Sequence, residues 1–228
     1  MPPPRPLPRE RRHRLRSARV NLIGEHTDYS GGLVLPVAID LGTTVAWQPL
    51  DGLVRVRSLA FGDVVEIGTD GGGAVAGWGR YVAAVVALLH ERGRPDAGID
   101  AVVSSTVPIG SGLSSSAALT VSLALALCGA ASFELDPLQL ARLMQEAERS
   151  AVGVPCGLMD PACVLLGYAE RRSEVERPEL DLLVDLDYEH GARAVHTIAA
   201  IVAAYRERTG REGRFSVCES VDGAAIRP

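Results

Sequence analysis

Pro108-Ile-Gly-Ser-Gly-Leu-Ser-Ser-Ser-Ala-Ala118 is the stretch on which the fold turns. Before it lies Ile99–Ser105, an apolar run that predicts a strand. After it, from about Ser116 to Cys128, lies a nearly all-apolar segment that predicts a helix buried on every side. Gly110 and Gly112 let the backbone adopt conformations closed to other residues and approach a ligand closely. The serines stand at the start of the helix, where free N–H groups and the positive end of the dipole attract anions. Two readings of the loop are open: a phosphate cradle that works without Lys, or a flexible linker that ends in a Ser N-cap. The core helix that follows without a gap favours the cradle, because a linker does not normally feed straight into a core.

Upstream, short β-type runs alternate with turns: Arg19–Ile23, Leu33–Ile39, Thr43–Trp47, Leu53–Arg57 and Val64–Ile67. Asp-Gly and Gly-Gly pairs punctuate them, as expected of hairpins. Trp78–Glu91 reads as a helix with a broad apolar face through Tyr81, Val82, Val85, Val86, Leu88 and Leu89. Downstream, Asp136-Pro137 starts a helix that runs to about Ser150, and a second helix covers Gly157–Leu166. Beyond Gly167 the pattern is patchy, with strand-like Leu180–Leu186 and Arg214–Cys218 around a helix at about Ala194–Arg208. Residues 1–18 are rich in Pro and Arg and read as a disordered tail.

The chain has 228 residues, 47% of them apolar, enough to bury a core in one domain or two small ones. The net charge of −5 argues against a nucleic-acid partner, which would ask for a basic surface. Every one of the 23 basic residues is Arg. A chain without Lys has no Lys-bearing P-loop, no protein-kinase strand Lys and no Schiff base. Cys128, Cys156, Cys163 and Cys218 show no C-x-x-C spacing, which opposes a zinc or redox motif. No apolar run reaches the roughly 20 residues that span a bilayer. These features predict a soluble cytoplasmic protein with no membrane partner; its oligomeric state is not legible.

Arg19-Val-Asn-Leu-Ile-Gly-Glu-His-Thr-Asp-Tyr29 places an Arg, two carboxylates and a His around an apolar stem. A short strand entering a polar loop would present these groups near one spot, which suits a ligand rich in hydroxyls. Asp160 lies among apolar neighbours in Val154-Pro-Cys-Gly-Leu-Met-Asp-Pro-Ala-Cys163. On its own it reads as a helix N-cap or as a catalytic carboxylate. Glu148, on the preceding helix, reads on its own as a solvated face residue.

Together and in this order, the three blocks resemble the GHMP kinase superfamily and, within it, the galactokinase family. Glu25-His-Thr-Asp-Tyr29 followed by Ser-Gly-Gly-Leu-Val-Leu-Pro36 is similar to the galactose-specific form of the first motif, Pro108–Ala118 to the nucleotide phosphate loop, and Pro155-Cys-Gly-Leu-Met-Asp160 to the segment with the catalytic Asp. The resemblance implies an α+β fold: a GHMP N-terminal lobe of ribosomal S5-like type, mixed sheet with helices, over residues 19–167. It also implies a reduced ferredoxin-like C-terminal lobe over residues 168–228. The implied activity is transfer of the ATP γ-phosphate to the C1 hydroxyl of galactose, with ATP and Mg²⁺ as cofactors. Asp160 would take the hydroxyl proton, with Arg19 beside it to steady transition-state charge. Glu25, His26, Thr27 and Asp28 would meet the sugar, with Gly157 close to its ring. Gly110, Ser111, Gly112, Leu113, Ser114, Ser115 and Ser116 would wrap the phosphates. Ser116 and Glu148 would be Mg²⁺ ligands, and Trp78 and Tyr81 would stand near adenine, with Ser58 reaching the nucleotide as well.

The chain departs from the family pattern in two places. Arg16-Ser-Ala-Arg19 stands where a Pro-Gly pair precedes the Arg, and the third, Gly-rich motif is not found. Flanks of that motif resemble Pro178–Leu183 and Gly191–Arg193, which reads as internal deletions after Gly167, around Glu176–Pro178 and after Arg193. Two further readings therefore stand beside the kinase: a non-catalytic sugar- or ATP-binding protein, and a decayed gene product.

Overall fold

The computed structural model describes residues 12–14, 18–22, 24, 26–30, 34–153 and 155–166. The C-terminal lobe expected over residues 168–228 and its inferred deletions lie outside them. Among the described residues, seven strands and four helices follow in the order β1 (Arg12–Arg14), β2 (Ala18–Asn21), β3 (Pro36–Ile39), β4 (Thr43–Leu50), β5 (Leu53–Ser58), β6 (Val64–Gly68), α1 (Gly79–Glu91), β7 (Gly98–Ser105), α2 (Ser115–Ala131), α3 (Pro137–Val152) and α4 (Met159–Leu166). A five-stranded mixed sheet has the order β1-β4-β7-β5-β6, and β2 pairs with β3 in a separate antiparallel ribbon. This is the α+β architecture that the resemblance implies.

Three local expectations are corrected. The disordered tail assigned to residues 1–18 does not hold for 12–14, which pair antiparallel with β4, Arg12 opposite Ala46. Nor does it hold for Ala18, which opens β2 and is fully buried. Edge pairing runs through the main chain, so it does not need an apolar sequence, and charged residues are common on sheet edges. Asp51-Gly52 does join β4 to β5, but not as a hairpin. β7 lies between them, antiparallel to β4 and parallel to β5. Gly98 is what lets β7 enter that gap, since a Cβ there would overlap the carbonyls of Leu50 and Leu53. The central position goes to β7 because Ile99, Ala101 and Val103 bury their side chains against the helices. Finally, the last helix begins at Met159 rather than Gly157.

The alternation of β5 is regular, with Val54, Val56 and Ser58 inward and Arg55 and Arg57 outward. α1 buries Val82, Val85, Val86 and Leu89, the 3.6-residue stripe of an amphipathic helix. Helix α2 has no polar face because it is the central post: it touches β2, β4, β7, α1, α3 and α4. Asp136 caps α3 through its carboxylate, which accepts from the Leu138 and Gln139 N–H groups at 3.0 and 3.2 Å, and Pro137 fills the first turn. Gly153 ends α3 in the left-handed conformation. A second small cluster of Ala18, Ile39 and Val107, with Val20, Leu41 and Leu113 against it, fastens the β2–β3 ribbon to the Gly/Ser loop. Among the described residues no helix is long and apolar enough to cross a membrane.

Candidate active site

The ribbon, the Gly/Ser loop and the first turn of α4 converge on Asp160. β2 turns Ala18 and Val20 toward the small cluster, so Arg19, on the alternate face, points the other way. Its Nε–H donates to Asp160 Oδ1 at 2.6 Å, and a terminal N–H donates to the Gly112 carbonyl at 3.0 Å. The Ser114 hydroxyl donates to the other carboxylate oxygen, Oδ2, at 2.5 Å. The guanidinium is 8% exposed and the carboxylate 23%, so the pair is sheltered on the cation's side and reachable on the carboxylate's. Asp160 is thus not a plain N-cap: both of its oxygens face other elements.

The sugar-loop candidates stand at the other end of the same α4 turn. Asp28 accepts from the Met159 N–H through Oδ2 at 3.2 Å and from the Tyr29 N–H through Oδ1 at 3.1 Å. A Cβ on Gly157 would overlap the Asp28 carboxylate, so these two candidates are in direct contact. His26, at φ 64°, is exposed and pairs its Nδ1 with the Tyr29 hydroxyl at 2.8 Å. Thr27 turns its hydroxyl back to the Gly24 carbonyl at 2.6 Å, closing the turn on itself. Glu25 lies outside the described residues. Cys156 holds the approach to Gly157 from behind: its carbonyl accepts from Gln145 and Arg149 of α3.

Glu148 is 5% exposed and far from a solvated face residue. The Ser116 and Thr120 hydroxyls are near enough to favour its charged form, while Oε1 is buried without a hydrogen-bond partner among the described residues. Burial, and then the charge of Asp160, push its carboxyl up from 4.5 to about 8. Between those values the folded chain holds a proton that the unfolded chain releases, so stability falls as pH rises through this window, by about 1.4 kcal/mol per pH unit at most. Thermal unfolding in the absence of divalent cations should show the midpoint falling from pH 5 to 8, and Glu148→Gln should flatten the slope. A wild-type slope equal to the Gln variant's would show that Glu148 is not the titrating group.

The Gly/Ser loop reaches α2 through left-handed backbone at Gly110, Gly112 and Ser114. Ser111 donates to the Pro108 carbonyl at 2.7 Å, and Leu113 packs under the ribbon. Ser114 is the N-cap residue of α2 yet makes no side-chain cap, and Ser115 begins the helix. Trp78, at the head of α1, stacks on Phe61 with ring centroids 6.1 Å apart and donates its indole N–H to Asp63 at 2.8 Å. Ser58 closes the same turn by accepting from the Phe61 N–H at 3.2 Å. At Tyr81, burial and then the charge of Glu148 raise the phenol pKa. The structure therefore brings Ser58 and Trp78 together and sets Tyr81 nearer the Glu148 side. Phe61, Asp63 and the Ser114–Asp160 bond were missed from the sequence. The only signal for the first was an aromatic residue in a turn, where Phe61 is 53% exposed.

Known proteins share both halves of this arrangement. Residues 17–49 match the galactokinase galactose-binding signature, and residues 80–168 match the GHMP kinases N terminal domain. Over these two stretches the chain is similar to the galactokinases among the GHMP kinases. A galactokinase of Chloroflexus aggregans is 44% identical over 154 residues, 66% of this chain and 40% of that protein. A galactokinase of Mycobacterium tuberculosis is 40% identical over 169 residues, 73% of this chain and 44% of that protein. The chain thus matches less than half the length of these curated relatives. The crystal structure of Lactococcus lactis galactokinase complexed with galactose superposes with a TM-score of 0.69 at 27% identity, covering 90% of this chain and 58% of that one. The GHMP N-terminal lobe expected from the sequence is the fold observed.

Proposed function

We propose that this chain carries the sugar site, the nucleotide loop and the catalytic carboxylate of a galactokinase, which moves the γ-phosphate of ATP to the C1 hydroxyl of galactose. The observation that carries the reading is the convergence of Ser114 and of Arg19, itself held by Gly112, on Asp160, one residue along the chain from the Asp28–Met159 contact. A carboxylate between a sugar loop and a phosphate loop stands where a proton must leave the hydroxyl. Asp160 accepts that proton, the C1 oxygen bonds to the γ-phosphorus, and the bond to ADP breaks. Arg19 steadies the charge on the transferred group, and since phosphoryl transfer is mainly positioning and electrostatics, a weakly basic carboxylate suffices.

Glu25, His26, Thr27 and Asp28 supply donors and acceptors for the sugar hydroxyls, and Gly157 leaves the ring its room. Gly110 to Ser116 cradle the phosphate chain with backbone N–H groups and hydroxyls, and Ser58, Trp78 and Tyr81 flank the nucleoside. The chain has no Lys, so a cation must share the triphosphate charge with Arg19. The buried, unpartnered Glu148 Oε1 and the Ser116 hydroxyl suit Mg²⁺, a hard ion that takes oxygen ligands. Among the described residues no group of three or more His, Cys, Asp or Glu could hold a metal, which suits an ion that keeps waters and binds substrate phosphates. Bound there, Mg²⁺ would neutralise phosphate charge. Galactose and ATP are the partners, with no nucleic acid, and the cytoplasm, which supplies ATP, is the compartment.

The test is sugar 1-phosphate formation from galactose and Mg-ATP by the purified chain, after a cooperative melt has shown it folded. Product is the expected result. A folded chain that binds both ligands and makes no product would favour the non-catalytic binding protein.

A further inference from the structure

We propose that Ser114 is a positioning residue that couples the nucleotide loop to the catalytic carboxylate; this rests on the reading of Asp160 as the proton acceptor. Three observations converge. First, Ser114 is a non-glycine residue held at φ 57° and ψ 47°, the left-handed region that L side chains avoid. Such strain persists only where the surroundings determine it. Second, as the N-cap of α2, its hydroxyl would ordinarily accept from the first turn's N–H groups, as Asp136 does on α3, but it makes no such bond. Third, that hydroxyl, on a buried residue, donates instead to Asp160 Oδ2 across 46 positions of sequence.

The consequence is a division of labour on one carboxylate. Arg19 holds Oδ1 and Ser114 holds Oδ2, so the carboxylate plane is fixed from two directions. Each oxygen keeps a second lone pair with which to accept the sugar's proton. Because the cap position is taken up by Asp160, the N–H groups at the head of α2 have no side-chain acceptor from their own N-cap and are left for phosphate oxygens. Any shift of the loop when phosphate binds is therefore felt at Asp160, directly through the Ser114 hydroxyl and indirectly through Gly112 and Arg19. Ser114 acts through Asp160 and need not touch the reacting atoms.

Ser114→Gly is the informative substitution, because Gly adopts the left-handed backbone without strain and takes away the hydroxyl with no more than the one carbon that bears it. We expect kcat to fall about 10- to 100-fold, the worth of one hydrogen bond to a charged group, with the KM for galactose little changed. In a cycle with Asp160→Asn, the Gly substitution should add little further loss, since residues that act as a unit are not additive. The same four proteins, melted without ligands, give a readout that needs no turnover: the shift of the double variant should differ from the sum of the two single shifts. A Ser114→Gly chain with normal kcat and only a raised KM for ATP would reduce Ser114 to a phosphate contact and overturn the coupling. So would additive melting shifts. If instead Asp160→Asn alone leaves turnover intact, the reading of the base fails, whatever Ser114 does.

Discussion

Asp160→Asn should lower galactose phosphorylation by about 10²- to 10⁴-fold, the span that a positioned general base contributes, and leave the chain folded. The substitution is close to isosteric. An Asn oxygen can still accept from Arg19 Nε, and Arg19 keeps its bond to the Gly112 carbonyl, so the ribbon, loop and helix remain tied together. What is lost is the negative charge and the capacity to take a proton. Removing one partner of a sheltered ion pair also has a stability cost, so the melting temperature should fall even as the transition stays cooperative. Steady-state rates beside thermal denaturation separate the two effects. A variant that melts like the parent and turns over like it would remove Asp160 from the chemistry.

Gly157→Ala is expected to raise the KM for galactose by about tenfold or more, with a smaller loss of stability, about 1–3 kcal/mol for an overpacked site. The new methyl would occupy the space of the Asp28 carboxylate. Asp28 is short and is held by the Met159 and Tyr29 N–H groups, so it can move aside only by giving up those bonds. The loop of residues 26–30 would then lose its tie to α4, and with it the placement of His26 and Asp28 relative to Asp160. The backbone of Gly157 is not in the left-handed region, so the effect is steric and should be relieved by a second substitution, Asp28→Ala. In that double variant stability should recover while sugar binding stays poor. Galactose titration by calorimetry, paired with melting curves, checks both halves. An alanine variant with parental galactose affinity would contradict the contact.

Much of the secondary structure was legible, and for identifiable reasons. The apolar stripe of α1 at Val82, Val85, Val86 and Leu89 and the all-apolar α2 are periodicity signals that depend on residue type alone. Asp136-Pro137 announced α3 because a cap and a first-turn proline are local chemistry. Pairing was less legible. Nothing in Asp51-Gly52 says that β7 will enter between β4 and β5, since that choice is made by strands nearly fifty residues apart competing for the core. β1 was invisible for a related reason: main-chain pairing at an edge leaves little trace in side-chain type. The shortened start of α4 follows from Asp28, 131 positions upstream, which accepts the Met159 N–H.

The candidate site divides along the same line. Arg19 and Asp28 could be singled out from the sequence because charged groups gathered around an apolar stem are costly and need a reason, whereas Glu148 and Asp160 stood out only through the resemblance of their segments to a known family. Their partnerships could not be, since each joins residues tens to more than a hundred positions apart. Sequence by itself determined the residue types, the helix and strand periods and the order of the three motifs, all of which are local properties of the chain. Only the tertiary structure decided that Glu148 is buried beside Ser116, that Gly157 has no room beyond Asp28, and that Ser114 turns from its helix cap to Asp160. The reason is that burial, close approach and the direction of a hydroxyl depend on which distant segments the packed core brings together.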